Sequence, residues 1–110
     1  MSKSESQLLQ TAGGLDRLDP LLQHRGRLGA MVLLSGMDAM NFVRLRDLLK
    51  ETDGNLGAQL RKLEDAGYVA VRKEFNERKP MTWYAISRNG QIALRNHLAA
   101  MESLIKASNL

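Results

Sequence analysis

Two short amphipathic helices in tandem, followed by a basic two-stranded segment, predict a chain that is mainly α with a small β-hairpin. Leu56, Leu60 and Leu63 form one stripe of the second helix, and Asn55, Ala58, Gln59 and Lys62 form another beside it. At about 100° per residue, the offsets i, i+4 and i+7 fall on one side of a helix. The segment Thr52–Lys62 therefore offers apolar groups to the rest of the chain and amide, methyl and ammonium groups to the outside. A helix over Asn41–Leu49 precedes it and the hairpin follows, which is the order of a winged helix-turn-helix, here with additional terminal helices.

Each element has a local cause. Gly13-Gly14 is expected to break the first 17 residues into short helical pieces carrying Leu8, Leu9, Leu15 and Leu18. Asp19 is placed to cap a helix with Pro20 in its first turn, running to about Leu34 and burying Leu21, Leu28, Met31 and Val32, with Ser35-Gly36 as its end. Met37 and Met40 read as core filler beneath the hairpin. Asn41 caps the next helix, with Phe42, Leu45, Leu48 and Leu49 inward, and Lys50-Glu51 makes the turn. Thr52 caps the third helix, Asp53 sets a carboxylate at its positive end, and Gly67 stops it. Tyr68–Phe75 and Thr82–Ile86 are rich in β-branched and aromatic residues, and the polar stretch 76–81 between them is expected as the hairpin loop. Ser87 caps a last helix carrying Leu94, Leu98, Met101 and Ile105.

A chain of 110 residues suffices for one domain with a modest core. Its polar start and the lack of a bilayer-length apolar run lead to the expectation of a cytoplasmic protein. No cysteine means no disulfide frame and no thiolate chemistry. With His24 and His97 as the only imidazoles, both expected on exposed helix surface, neither a metal site nor a catalytic triad is expected. No glycine-rich phosphate loop is present, so no cofactor is expected and an enzyme is disfavoured.

The net charge is +4, and its placement matters more than its size. Arg61, Lys62, Arg72, Lys73, Arg78 and Lys79 all fall in or just after the third helix. A helix can enter the major groove, where amides reach base edges and a methyl meets thymine, and cations on a hairpin tip can reach phosphates or the minor groove. Gln59 is expected to offer its amide to adenine as both donor and acceptor. The DNA-binding set is therefore Thr52, Asn55, Ala58, Gln59, Arg61, Lys62, Lys73, Arg78 and Lys79. The bland alternative is a solvated face. The alternative from another class is a winged-helix module that binds a protein and no DNA.

The runs Thr52-Asp53-Gly54-Asn55-Leu56, Leu60-Arg61-Lys62-Leu63-Glu64 and Ala66-Gly67-Tyr68-Val69 resemble the recognition helix and first wing strand of small bacterial winged-helix transcriptional regulators. Arg78-Lys79-Pro80, Thr82, Tyr84, Ile86-Ser87 and Gly90 resemble their wing and return strand. The nearest likeness is to the stand-alone group related to the MarR and ArsR regulators, and it covers roughly residues 18 to 98 in order. The resemblance implies a dimeric, sequence-specific regulator of transcription in which Asn55, Ala58, Gln59 and Lys62 face bases. Relatives of this kind often bind a small-molecule effector near the dimer interface, but no polar cluster in this sequence identifies one.

Three helices and a hairpin already close a small core, so a terminal apolar stripe of Leu94, Leu98, Met101 and Ile105 is surplus, and a second copy would hide it. The expected organisation is an N-terminal extension over 1–17, partly helical or mobile, a winged-helix DNA-binding domain over 18–90, and a C-terminal dimerisation helix over 91–110.

Overall fold

In the computed structural model, which describes residues 2–110 with the side chain of Asn76 excepted, the chain forms five α-helices and a three-stranded antiparallel sheet. Met1, the first residue of the expected extension, lies outside the described residues. The order is α1 (Glu5–Arg17), a 3-10 turn (Pro20–Leu22), α2 (Arg25–Ser35), β1 (Met40–Asn41), α3 (Phe42–Leu49), α4 (Asp53–Asp65), β2 (Val69–Asn76), β3 (Lys79–Ile86) and α5 (Arg88–Ala107).

The expected break at Gly13-Gly14 does not occur. A capping box starts α1: Gln7 N donates to Ser4 Oγ at 3.2 Å and Ser4 N donates to Gln7 Oε1 at 2.9 Å. The helix then runs unbroken to Arg17, because packing against α5 repays what glycine costs in helix propensity. Gly14 is buried, and a Cβ there would lie 3.0 Å from Leu104 Cδ2 and 3.3 Å from the Ala100 carbonyl oxygen. The two helices run antiparallel, tied by Arg17 Nη2 donating to Ser103 Oγ (2.9 Å) and Gln7 Nε2 donating to Asn109 Oδ1 (3.2 Å). This pair is an arm on the rest of the fold, and the molecule measures 63 × 26 × 21 Å.

The single helix expected from Pro20 to Leu34 is in fact two pieces. Asp19 Oδ1 caps the 3-10 turn by accepting from Leu21 N at 2.9 Å. His24 then caps α2, its Nδ1 accepting from Gly26 N (3.0 Å) and Arg27 N (3.4 Å). Histidine is not among the usual capping residues, so the new start was invisible to propensity. The restart also rotates the helix: Leu22, Ala30, Met31 and Leu34 are fully buried, while Val32 is exposed.

The next two helices begin as expected. Asn41 Oδ1 accepts from Arg44 N (2.8 Å), and Thr52 Oγ1 accepts from Asn55 N (3.1 Å). Lys50 takes the left-handed conformation between them (φ 55°), and Gly67 does so after α4 (φ 77°). The sheet has order β1-β3-β2, with Met40 opposite Tyr84 and Asn41 opposite Trp83. Strand β1 is only two residues long, too short to leave a periodic signal. Met40 joins the core as expected, but Met37 stays exposed.

The expected six-residue hairpin loop is a two-residue turn. Strands β2 and β3 stay paired out to Asn76 opposite Lys79, and Glu77 and Arg78 both have positive φ (50° and 69°). Two such residues define a type I′ turn, whose twist matches that of the flanking strands. The hairpin is therefore a long ribbon, anchored by Val69, Val71, Tyr84 and Ile86 at its base.

A polar chain joins arm to wing. The Tyr68 hydroxyl donates to Asp19 Oδ2 at 2.5 Å, and Asp19 N donates to His97 Nδ1 at 2.9 Å. His97 is fully buried, not exposed as expected, and its Nε2 has no partner among the described residues. The hydrogen bond to Asp19, then burial, pushes the Tyr68 phenol up to about 12. Folding thus favours the neutral phenol. That contribution is whole below about pH 10, where the unfolded phenol starts to ionise, and is lost as pH rises through 12. The stability advantage of the parent over Tyr68→Phe should shrink between pH 8 and pH 11.5 in denaturant titrations. An advantage that stays constant would contradict this coupling.

Candidate nucleic-acid interface

Helix α4 sinks Leu56, Leu60 and Leu63 into the core, which fixes the direction of every other side chain on it. Asn55, Ala58, Arg61 and Lys62 are exposed. Gln59 is different. It sits half-buried on the flank nearer α2, where Arg27 Nη1 donates to its Oε1, while Arg27 Nε donates to the Leu21 carbonyl at 2.5 Å. Arginine has no acceptor, so the amide must turn its oxygen toward Arg27 and keep its N–H groups for other partners. The two-way amide expected from the sequence is therefore partly committed: one lone pair of its oxygen is taken by Arg27, and the other lone pair and the N–H groups are left to offer. Arg27 lies 32 residues away and carried no signal that it would hold this side chain.

Two other α4 residues have structural duties. The Thr52 hydroxyl caps the helix, and Asp53 accepts from Arg46 Nη1 at 2.8 Å. Arg46 also pairs with Asp47 at 3.0 Å. Both carboxylates, Asp53 foremost, raise the already high Arg46 pKa. A carboxylate in the first turn stabilises the helix but would repel phosphate, and the permanent charge on Arg46 offsets that repulsion.

On the wing, Lys73, Arg78 and Lys79 are exposed. Arg72 lies 6.0 Å from the centre of the Trp83 ring, directly across the ladder, and 3.7 Å from Glu74 Oε2. Trp83 Nε1 in turn donates to Glu74 Oε1 at 2.7 Å. None of Arg61, Lys62, Lys73, Arg78 and Lys79 forms an ion pair among the described residues. Lys79 also shares the walls of a cleft of about 490 Å³ with Arg44 and Val43 of α3. The strand pattern did include Phe75, but not that its ring would be 80% exposed.

The terminal stripe divides. Leu94 belongs to the domain's own core, which removes it from the expected surface stripe, because the first half of α5 roofs the winged domain. Beyond it Met101 is half-buried, Leu98 is 41% exposed and Ile105 70% exposed. Helix α1 meets α5 at Ala100, Ser103 and Leu104, outside the expected stripe, and brings exposed Leu8, Leu9 and Leu15 of its own. Among the described residues there is no group of three potential metal ligands, and no helix long and apolar enough to cross a membrane.

The family model described as a winged helix DNA-binding domain matches residues 27–105. An uncharacterised protein of Methanocaldococcus jannaschii is 32% identical over 80 residues, covering 73% of this chain and 87% of that protein. A transcriptional regulator homologue from Pyrococcus horikoshii superposes with a TM-score of 0.78 at 26% identity, over 96% of this chain and 99% of the other. NadR in complex with 4-hydroxyphenylacetate shares the fold at 18% identity, with a TM-score of 0.61 over 93% of this chain and 67% of that one.

Proposed function

The chain belongs to the winged helix DNA-binding domain family, and on that premise we propose that this DNA-binding regulator reads specific duplex sequence as a homodimer. The family is one of DNA-binding domains rather than enzymes. The observation that carries the reading is where exposed charge stands: Arg61 and Lys62 on α4 and Lys73, Arg78 and Lys79 on the wing are exposed and have no carboxylate partner among the described residues. Cations left free on a reading helix and its wing suit phosphate neutralisation. Asn55, Ala58, Lys62 and the N–H groups of Gln59 would address base edges.

The paired copy would be held by the arm, through Leu98, Met101 and Ile105 with the leucines of α1. A cleft of about 360 Å³ lined by Arg17, Asp19, Tyr68, Asn96 and His97 lies at the joint between arm and winged domain. A small effector seated there would touch both parts, as regulation of DNA binding through the arm requires.

Salt response tests the reading against a protein-binding module. Affinity for duplex DNA should fall steeply with added salt, with a log–log slope of roughly −0.9 per phosphate contacted. A flat response, or no retention of duplex at low salt, would contradict it. Arg78→Ala with Lys79→Ala should leave the thermal midpoint nearly unaltered, since both side chains are exposed at the turn. Binding should weaken on all sequences alike, and the slope should become shallower by about one unit per lost contact. An unchanged slope would leave the wing only a structural part.

A further inference from the structure

Phe75 is the one fully exposed aromatic among the described residues; Phe42, Tyr68, Trp83 and Tyr84 are all at least half-buried. Strand alternation puts it on the same sheet face as Val69 and Val71, with Pro80, Thr82, Tyr84 and Ile86 opposite. At the base of the ribbon that face is roofed by helices, and Val69 and Tyr84 are buried in the core. Phe75 lies four residues beyond Val71, roughly 13 Å farther along the strand at about 3.3 Å per residue. On that face exposed Lys73, opposite Thr82, separates Val71 from Phe75, so the bare ring stands alone beyond the domain with a cation beside it.

The surroundings narrow what could cover it. Between positions 72 and 79 the chain carries Arg72, Lys73, Arg78 and Lys79 against two carboxylates, and Glu74 is engaged by Trp83 and Arg72. An apolar protein surface closing over Phe75 would strip water from these cations without return. A polyanion neutralises them and admits the ring. The ladder is paired to its last residues and closed by a two-residue turn, so the tip is a stiff ribbon rather than a loose loop.

We propose that Phe75 is a wedge that enters the minor groove, partly unstacks a base step and bends the duplex, while the flanking cations hold the phosphates on either side. Apolar side chains that enter the minor groove in this way kink DNA by roughly 20–90°. The proposal rests on the DNA-binding reading above and adds to it a residue that acts through shape.

The test uses the full chain and the tightest duplex recovered from a random pool, labelled at its two ends with a fluorescence donor and acceptor. Saturating parent protein should bring the ends closer. Phe75→Ala should bind roughly 10-fold more weakly and, at saturation, leave the ends as far apart as in free DNA. Phe75→Leu, still an apolar wedge, should restore much of the bend. Arg78→Ala should weaken binding yet keep the bend at saturation. The exposed position makes all three compatible with folding, which circular dichroism checks. A parent that binds without bending, or a Phe75→Ala variant that bends the saturated duplex as the parent does, overturns the wedge and leaves DNA binding intact. Failure of the parent to retain any duplex at low salt would instead remove the reading on which the wedge rests.

Discussion

Gly90→Ala should be strongly destabilising. Gly90 is buried at the start of α5, and a Cβ there would stand 2.1 Å from the Tyr68 carbonyl oxygen and 3.0 Å from its carbon. That carbonyl cannot simply retreat, because it accepts from Ser87 N at 2.9 Å. Ser87 itself caps α5, its Oγ accepting from Gly90 N at 3.0 Å and donating to the Gly67 carbonyl at 2.6 Å. One added methyl therefore presses on the junction between the end of α4, the start of β2 and the start of α5. Overpacking typically costs about 1–3 kcal/mol where side chains can yield, and backbone against backbone should stand at or above the top of that range. A domain of this size has only about 5–15 kcal/mol in hand. Chemical denaturation should show the loss, and a variant within about 0.5 kcal/mol of the parent would mean that α5 docks otherwise.

Leu98→Glu combined with Ile105→Glu should turn a dimer into a folded monomer. Both side chains are exposed on the arm of the single chain, so neither change disturbs a core that Leu94 already serves from the same helix. In a paired arm each glutamate would enter an apolar contact, at a cost of several kcal/mol for an unpaired carboxylate (order of magnitude). Sedimentation at micromolar concentration should give a dimer for the parent and a monomer for the variant, with circular dichroism unchanged. Tethering two reading helices makes the second contact intramolecular, so the monomer should also lose roughly 10²-fold or more in affinity for a two-half-site duplex. A parent that sediments as a monomer, or a variant that stays dimeric, would contradict the proposed arm.

What the sequence showed and what it hid divide along the range of the cause. Asn41, Thr52, Ser87 and Gly67 act on their own helices, and each does in the structure what its position suggests. The stripe of Leu56, Leu60 and Leu63 is likewise local, so the face left outward on α4 was legible. The uninterrupted α1 was not, because the contact with Leu104 and Ala100 that offsets two glycines comes from the far end of the chain. His97 read as a surface residue because the Asp19 N–H that it accepts lies 78 positions away. The same holds for Arg27 and Gln59. The short hairpin turn was missed for a different reason: Glu77 and Arg78 lack the usual Asn-Gly signature of left-handed turn residues, so the strands looked shorter than they are. The bare ring of Phe75 follows from that longer ribbon.

Selection from a random duplex pool at low salt tests the central claim most directly. The account predicts retention of DNA and enrichment of a pseudo-palindrome whose half-sites lie about one helical turn, roughly 34 Å, apart. No retained duplex at low salt, with the protein shown to be folded, would contradict it.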